Sequence, residues 1–482
     1  MLNPSNCRPW RATAIATATI GVALTCGVAV AQNRYHAKNV GAFGTGEYTQ
    51  ANALNNEGAV VGHGQVCFLV TGYRPFLWTY ADGMRPLYPQ NDLGFGVSAT
   101  HISDDGGIFG GYIDAGAPTP CSSAQIPALP FGSKQRNVLW NRDGFGVEQL
   151  IPGLGGQLGL PNIQTSIGDT NAFGDVVGGS YDGADALSGE WRGYLYSTTT
   201  QTLTNLEFAA GPGVTVRQAV GVNNAGGLLA QATTLDGERI VYIDADAVSH
   251  ILPRLSNDVA SVELPRAVAL RDDGEVLAWS ERLAPTGSPP PLDQRLEYAG
   301  LYTWRPHGGL TDLTPTLPPD RRIVPAALGA AGEVLAMDVT PSNSTDPADY
   351  LPRPYLYDGA AWRRLDEMTT LIYPDDRVEL FNKTYWILRS MNDAGQILIN
   401  VRFDGDEILM PSFQSFVLTP YPALNGDINR DGTVDGDDIA LFVEAIQGAG
   451  RTLWQEAAAD TNRDSELTVE DIPPMINALL SQ

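Results

Sequence analysis

The chain has 482 residues, 43% of them hydrophobic, which is enough for about two to four cored domains at roughly 150 residues each and too apolar for wholesale disorder. A formal charge of −25 sets it against nucleic acid, whose phosphates are bound by basic surface. Fifty-two glycines and 33 prolines against 18% charged residues point to many turns and short strands, hence a mainly β architecture.

The first expected element is an export signal. Arg8 and Arg11 precede an apolar, small-residue run from Ala12 to Val30, and Ala29-Val30-Ala31 is a small-x-small cleavage site, so residues 1–31 read as a signal peptide. A retained anchor is the competing reading, but the run is rich in Thr and Ala and short of the ~20 strongly apolar residues a span needs. Ala23-Leu24-Thr25-Cys26 is a weak lipoprotein box because of Thr25, and no later segment is apolar enough to cross a membrane. The mature chain is expected to be secreted, extracellular or at the cell surface, with the periplasm as the alternative compartment. Cys67 and Cys121 remain after cleavage; an even pair in an oxidising compartment predicts one disulfide, with two free buried thiols as the alternative.

Residues 32–420 are a run of repeats. Leu54-Asn55-Asn56-Glu57-Gly58-Ala59-Val60-Val61-Gly62 returns as Ile102-Ser103-Asp104-Asp105-Gly106-Gly107-Ile108-Phe109-Gly110, and again around Gly174, Gly226, Gly274, Gly332 and Gly395. Asn or Asp, then a glycine able to take positive φ, then a β-branched or apolar pair is the pattern of a tight hairpin. The copy at Leu328-Gly329-Ala330-Ala331-Gly332 has lost the Asn/Asp pair.

An aromatic strand follows each hairpin: Pro75-Phe76-Leu77-Trp78, Val138-Leu139-Trp140, Tyr194-Leu195-Tyr196, Val241-Tyr242-Ile243, Leu301-Tyr302-Thr303-Trp304, Tyr355-Leu356-Tyr357 and Ser415-Phe416-Val417-Leu418. In the first six units a short strand comes next, ending at Leu87, Leu150, Leu206, Leu252, Leu313 or Leu365. The seventh runs straight into Thr419-Pro420-Tyr421-Pro422, and Tyr35-His36-Ala37-Lys38-Asn39-Val40 fits the missing slot. Seven units of four strands, 48 to 68 residues apart, predict a seven-bladed β-propeller closed by the N-terminal strand. An open solenoid is the alternative, but it leaves that strand without a purpose. The units resemble the HAF-type extracellular repeats of secreted bacterial proteins, which pair an Asn-Asn-x-Gly-x-Val-Val-Gly turn with a downstream aromatic-Leu-Trp strand. This resemblance implies a fold rather than an activity.

The long insertions Tyr112–Arg136, Ser280–Tyr298 and Thr340–Arg353 fall between the second and third strands of a unit, which maps them to one face of the ring. Cys67 and Cys121 occupy that same connection in units one and two, so neighbouring blades can bring them within bridging reach. For catalysis the ring offers no HExxH, GxSxG or Walker loop and no clustered Cys/His set. His36, His63, His101, His250 and His307 are scattered and read as surface or turn residues, and no carboxylate pair stands out, Asp182 with Asp185 and Asp404 with Asp406 included. Trp78, Trp140 and Trp304 recur at one strand position and read as blade packing rather than a platform for sugars.

Residues 421–482 form a separate acidic module, with twelve acids against three arginines from Leu424 onward. Asp427, Asn429, Asp431, Asp435 and Asp438 place side-chain oxygens at positions 1, 3, 5, 9 and 12 of a loop, with Thr433 lending its carbonyl at position 7. Asp460, Asn462, Asp464, Thr468 and Asp471 repeat the pattern with the Glu466 carbonyl, and helix-like runs follow at Ile439–Ile446 and Ile472–Leu480. This spacing suits a hard cation, so two Ca²⁺ ions are expected. Four loop carboxylates against three, and Ser465 where Gly432 stands in the first loop, predict the tighter site at the first. Val434 and Leu467 at position 8 are expected to pack between the loops.

The tandem loop–helix units resemble a type I dockerin, which implies Ca²⁺-dependent docking through the helices onto a cohesin-like or cell-surface partner. Positions 10 and 11, which help choose the partner in that family, are Gly436-Asp437 and Val469-Glu470 here, not the small hydroxyl pairs of cellulosomal versions. The expected whole is a secreted, non-catalytic binding or assembly protein, with polysaccharide as a candidate ligand. The alternative is a polysaccharide-degrading glycoside hydrolase or lyase carrying a dockerin.

Overall fold

The computed structural model describes residues 34–481 except 43–47, 68–69, 88–97, 115–133, 141–146, 153, 155–163, 182–189, 208, 256–262, 284–295, 319–320, 341–351, 370, 372–383, 404–411 and 449–450. The expected signal peptide, Cys121, the side chain of Cys67, and the pairs Asp182–Asp185 and Asp404–Asp406 lie outside the described residues.

The hairpin signatures fold into seven four-stranded antiparallel sheets. Their first strands are Thr49–Leu54, Ser98–Ile102, Gln164–Thr170, Val214–Val222, Glu263–Leu270, Ile323–Leu328 and Thr384–Met391. Each touches the next, and the seventh touches the first, so the sheets are the blades of a closed propeller. The closing strand, Tyr35–Asn39, pairs antiparallel with Ser412–Pro420, in register from Tyr35 opposite Pro420 to Asn39 opposite Phe416. The N-terminal sequence therefore completes the last blade, as expected of a ring and not of a solenoid.

The core is laminated between blades because every blade is covered on both faces. Along Leu228–Thr234, Leu228, Ala230 and Ala232 face blade 3, while Leu229 faces blade 5 with Tyr242 and Trp304. A period of two with both sets apolar is the mark of a strand buried on both sides. Trp78, Trp140 and Trp304 are all buried in such layers. Leu87, Leu206, Leu252 and Leu313 sit one residue beyond their short strands, buried and still donating a backbone N–H to the aromatic strand.

The recurring turn does more than reverse the chain. Asn55 Oδ1 accepts the N–H groups of Glu57 and Ala59 in its own turn, at 3.2 and 2.9 Å, while its Nδ2 donates to the Ser103 carbonyl of the next blade. Asn392 Nδ2 donates to the Asn55 carbonyl at 2.9 Å, Asn171 to Asn223 and Asn223 to Arg271. The following residue repeats the reach, Asn56 to Asp104 and Asn224 to Asp272. Asparagine suits the position because one planar group accepts within the turn and donates across the seam.

The glycine ending the unit also has a packing reason: a Cβ on Gly62 would lie 2.7 Å from Ala51 Cα. There the first strand bulges toward its partner, and all seven first strands bulge at the equivalent step, as between Ala51 and Ala53 or Leu388 and Ser390.

Candidate metal centre and its seat on the ring

The first loop leads into a helix over Gly436–Ile446, capped by Asp435, whose side chain accepts from the Asp437 N–H. Asp438 is fully buried; its Oδ1 accepts from the N–H groups of Ile428 (2.7 Å) and Asn429 (3.0 Å), and its Oδ2 from Asp435 (3.0 Å). One carboxylate thus ties the start of the loop to its end. Asp427 Oδ2 accepts from Gly432 N–H at 3.1 Å, while its Oδ1 is buried without a partner.

The second loop copies this backbone. Asp471 ties Asn462 N–H and Thr468 N–H, and Asp460 Oδ2 accepts from Ser465 N–H at 2.9 Å. Positive φ recurs at positions 4 and 6 of both loops, at Arg430 and Gly432 and again at Arg463 and Ser465. Val434 and Leu467 share one apolar cluster with Ile428, Phe442 and Met475, as expected.

No three carboxylates or imidazoles among the described residues close on a common point as ligands. The donor set nonetheless fits a hard cation: oxygens only, several of them anionic, with one buried carboxylate oxygen at Asp427 unsatisfied. Burial pushes the Asp471 carboxyl up, and the nearby charges of Asp460 and Asp464 push it further. Such crowding is what a bound cation relieves.

A middle helix absent from the sequence reading, Leu453–Ala459, joins the loops. Its signal was available in the capping box of Thr452 and Gln455, each side chain bonded to the other's backbone N–H. This helix carries the module onto the ring. Leu453 enters the cluster of Val40, Trp78, Leu398 and Val417. Lys38 Nζ donates to Glu456 Oε1 at 3.0 Å.

His36, read from sequence as a surface or turn residue, is 1% exposed and lies between Asp460 Oδ2 (3.0 Å) and Glu456 Oε2 (3.8 Å). It belongs to a strand whose pattern reports only its own sheet, so its partners some 420 residues away leave no local trace. Burial lowers the His36 pKa, but Asp460 and Glu456 outweigh it and the net direction is up. Burial likewise works against the Glu456 anion, yet His36 and Lys38 hold that carboxyl down at about 2.

The other chemically notable place is a cavity of about 300 Å³ at the ring centre, beneath the turns. Its rim carries Asn56, Asp104, Asn224, Asp272 and Asp393, already engaged across the seams. Deeper, Val220, Val268, Ala326 and Met391 form an apolar wall opposite His101 and Asp169. His101 is therefore a ring-centre residue on a strand, not the surface or turn residue expected. Its imidazole bonds Thr100 Oγ1 at 2.9 Å, and burial pushes its pKa down to about 4. Asp169 accepts from Thr170 N–H (2.8 Å) and Val222 N–H (3.1 Å), and its depth in the ring pushes its carboxyl up to about 7.

No curated protein matches the chain. Among solved structures, it is 11% identical to an ulvan lyase, a polysaccharide lyase, over 80% of this chain and 83% of that one, with a TM-score of 0.33. It is 9% identical to virginiamycin B lyase from Staphylococcus aureus over 80% and 99%, with a TM-score of 0.39. It is 10% identical to Porphyromonas gingivalis dipeptidyl peptidase 4 over 77% and 57%, with a TM-score of 0.38. Likenesses this low bring no activity to the chain. Residues 425–480, by contrast, match the dockerin type I domain over both loops and all three helices. The chain is a seven-bladed β-propeller ending in a type I dockerin domain.

Proposed function

We propose that the protein is a secreted, non-catalytic assembly protein, in which the dockerin docks the propeller onto a cohesin-like partner while two Ca²⁺ ions organise the loops. The observation carrying this reading is which helices the ring leaves free. The middle helix is turned to the ring, whereas Ile439 and Val443 of the first helix remain 47% and 46% exposed. On the last helix, Ile472–Leu480, Ile472, Ile476 and Leu480 form a second exposed apolar row at helical spacing. Asp427, Asn429, Asp431, Asp435 and Asp438 supply the first cation's side-chain ligands and Thr433 its carbonyl; Asp460, Asn462, Asp464, Thr468 and Asp471, with the Glu466 carbonyl, supply the second. Export is supported by the Arg8–Ala31 signal, and no helix among the described residues is long and apolar enough to cross a membrane. The test is binding of the full chain to an immobilised type I cohesin. Binding that is lost in chelator and in Ile476→Asp supports the reading; no binding with calcium present sinks it.

A second reading, a polysaccharide-degrading enzyme, is favoured by one observation. His101 and Asp169 share the central cavity with pKa values displaced in opposite directions by burial, down to about 4 and up to about 7, the kind of perturbation active sites use. The cavity's apolar wall facing polar groups also suits a sugar ring. A reducing-sugar and unsaturated-product assay over a polysaccharide panel decides it: turnover abolished by His101→Ala and Asp169→Asn would replace the non-catalytic reading.

A further inference from the structure

The two loops treat their first aspartate differently. Among the described residues, Asp427 Oδ2 meets Gly432 N–H alone, from within its own loop. Asp460 Oδ2 meets Ser465 N–H in the same way, and then two donors from outside the matched dockerin residues 425–480: His36 Nδ1 at 3.0 Å, on the closing strand, and the Tyr421 hydroxyl at 2.5 Å, on the connection leaving blade 7. Asp460 is fully buried by this company. Arg463, at position 4 of the same loop, lies over the Tyr421 ring at 5.1 Å and donates to the Pro422 carbonyl. The corresponding Arg430 lies over Trp454, inside the module.

The closing strand needs such help. It is five residues long, it is the outer strand of its blade, and it closes the ring together with the direct seam bonds between blades 7 and 1, such as Asn392 to Asn55. A short outer strand, bonded along one edge, frays readily. Its free edge is covered by the second loop, where Ala37 N–H donates to Ser465 Oγ at 3.4 Å. His36 and Lys38 are clamped by Asp460 and Glu456.

We propose that the second calcium loop is the lock of the propeller: His36 and Tyr421 position Asp460 for the cation, and cation binding there holds the closing strand in blade 7. The inference rests on the calcium reading of the loops. Linkage makes the effect reciprocal, so the closed ring raises the loop's affinity by the same factor by which the cation favours closure. Partners that orient a metal-ligating carboxylate are worth about 10–100-fold in affinity, enough to offset the poorer donor count of the second loop. The first loop, where no ring residue among the described residues bonds Asp427, has no such coupling.

The experiment uses the full chain freed of metal by chelation. Asp431→Ala silences the first loop, so calorimetric titration with Ca²⁺ reads the second alone; Asp464→Ala does the reverse. Tyr421→Phe keeps the ring over Arg463 and deletes only the hydroxyl, and His36→Gln keeps a polar, neutral partner if Tyr421→Phe fails to fold. The expected result is about tenfold weaker Ca²⁺ binding at the second loop in Tyr421→Phe, with the first loop unchanged. The rise in propeller unfolding temperature on adding Ca²⁺, followed by near-ultraviolet circular dichroism, shrinks in Tyr421→Phe and persists in Asp431→Ala. Unaltered affinity with an unaltered thermal shift overturns the lock while leaving the calcium assignment intact. No Ca²⁺ uptake by Asp431→Ala overturns the second-loop assignment and the lock together.

Discussion

Asp427 and Asp460 hold the same place in two loops of matching backbone, yet one faces its own turn and the other is buried beneath two groups, His36 of the closing strand and Tyr421 of the connection, that precede the matched dockerin residues. A ranking by donor count favours the first loop, with four carboxylates to three. The structure adds what a count omits. Asp460 is oriented before any ion arrives, at a cost met by the ring, while Asp427 is oriented by its loop alone. Affinity depends on preorganisation as well as on ligand number, so the loop with fewer charges is the one built into the molecule.

The largest expected break of this comparison is Asp460→Ala against Asp427→Ala. Each deletes a position 1 carboxylate, but only the first leaves His36 buried against Glu456 without its nearer partner. Breaking a buried, hydrogen-bonded charge pair costs about 3–5 kcal/mol. Metal-free thermal unfolding followed at the propeller should therefore fall by many degrees in Asp460→Ala. In Asp427→Ala the propeller transition should stay within about 0.5 kcal/mol of the parent, because the hydrogen bond Asp427 makes, to Gly432 N–H, lies within its own loop and the change is remote from the ring. Equal losses would show that the loops are alike after all.

The ring was legible because its constraints are local and repeat. Turn glycines such as Gly58 and Gly174, the apolar pairs after them and the vacant slot after Phe416-Val417-Leu418 each announce themselves within ten residues. The loop residues were legible for the same reason, since ligand spacing is a sequence pattern. The parts that escaped are long-range. Asn55 reads as a turn former, but its amide also bridges to Ser103 on the next blade. His36 sits in a five-residue strand whose slot in the last blade was legible, but that slot says nothing of Asp460 or of the burial it brings. His101 looks like one more turn neighbour until seven first strands converge on a common axis. The middle helix, seven residues with three consecutive alanines, is too short to show a helical period.

A smaller break tests the first loop. Gly432 has φ of +90°, and a Cβ there would meet nothing within 4 Å, so Gly432→Ala isolates the backbone term. Placing an L-residue in this region costs about 1–2 kcal/mol. Calorimetric titration of Gly432→Ala should show Ca²⁺ affinity at the first loop reduced about five- to thirtyfold, with the second loop unaffected. Loss at both loops would mean that the apolar cluster of Val434 and Leu467 couples them more strongly than the ring does.

The smallest expected effect is the mirror substitution, Ser465→Gly. Ser465 accepts the same strain at φ of +70°, and glycine would relieve about 1–2 kcal/mol of it. Against this, glycine carries about 0.5–1 kcal/mol of extra chain entropy into the unfolded state. The substitution also removes the hydroxyl that takes Ala37 N–H at the edge of the closing strand. A long hydrogen bond of this kind contributes at the low end of about 0.5–1.5 kcal/mol. The contributions nearly cancel, so Ser465→Gly should move metal-free unfolding by less than about 0.5 kcal/mol. The sign is informative even so. A clear gain would mean that the serine is only a strained stand-in for glycine. A flat result together with faster hydrogen exchange at Ala37 N–H would show that the strain is retained because the hydroxyl is spent on holding the strand.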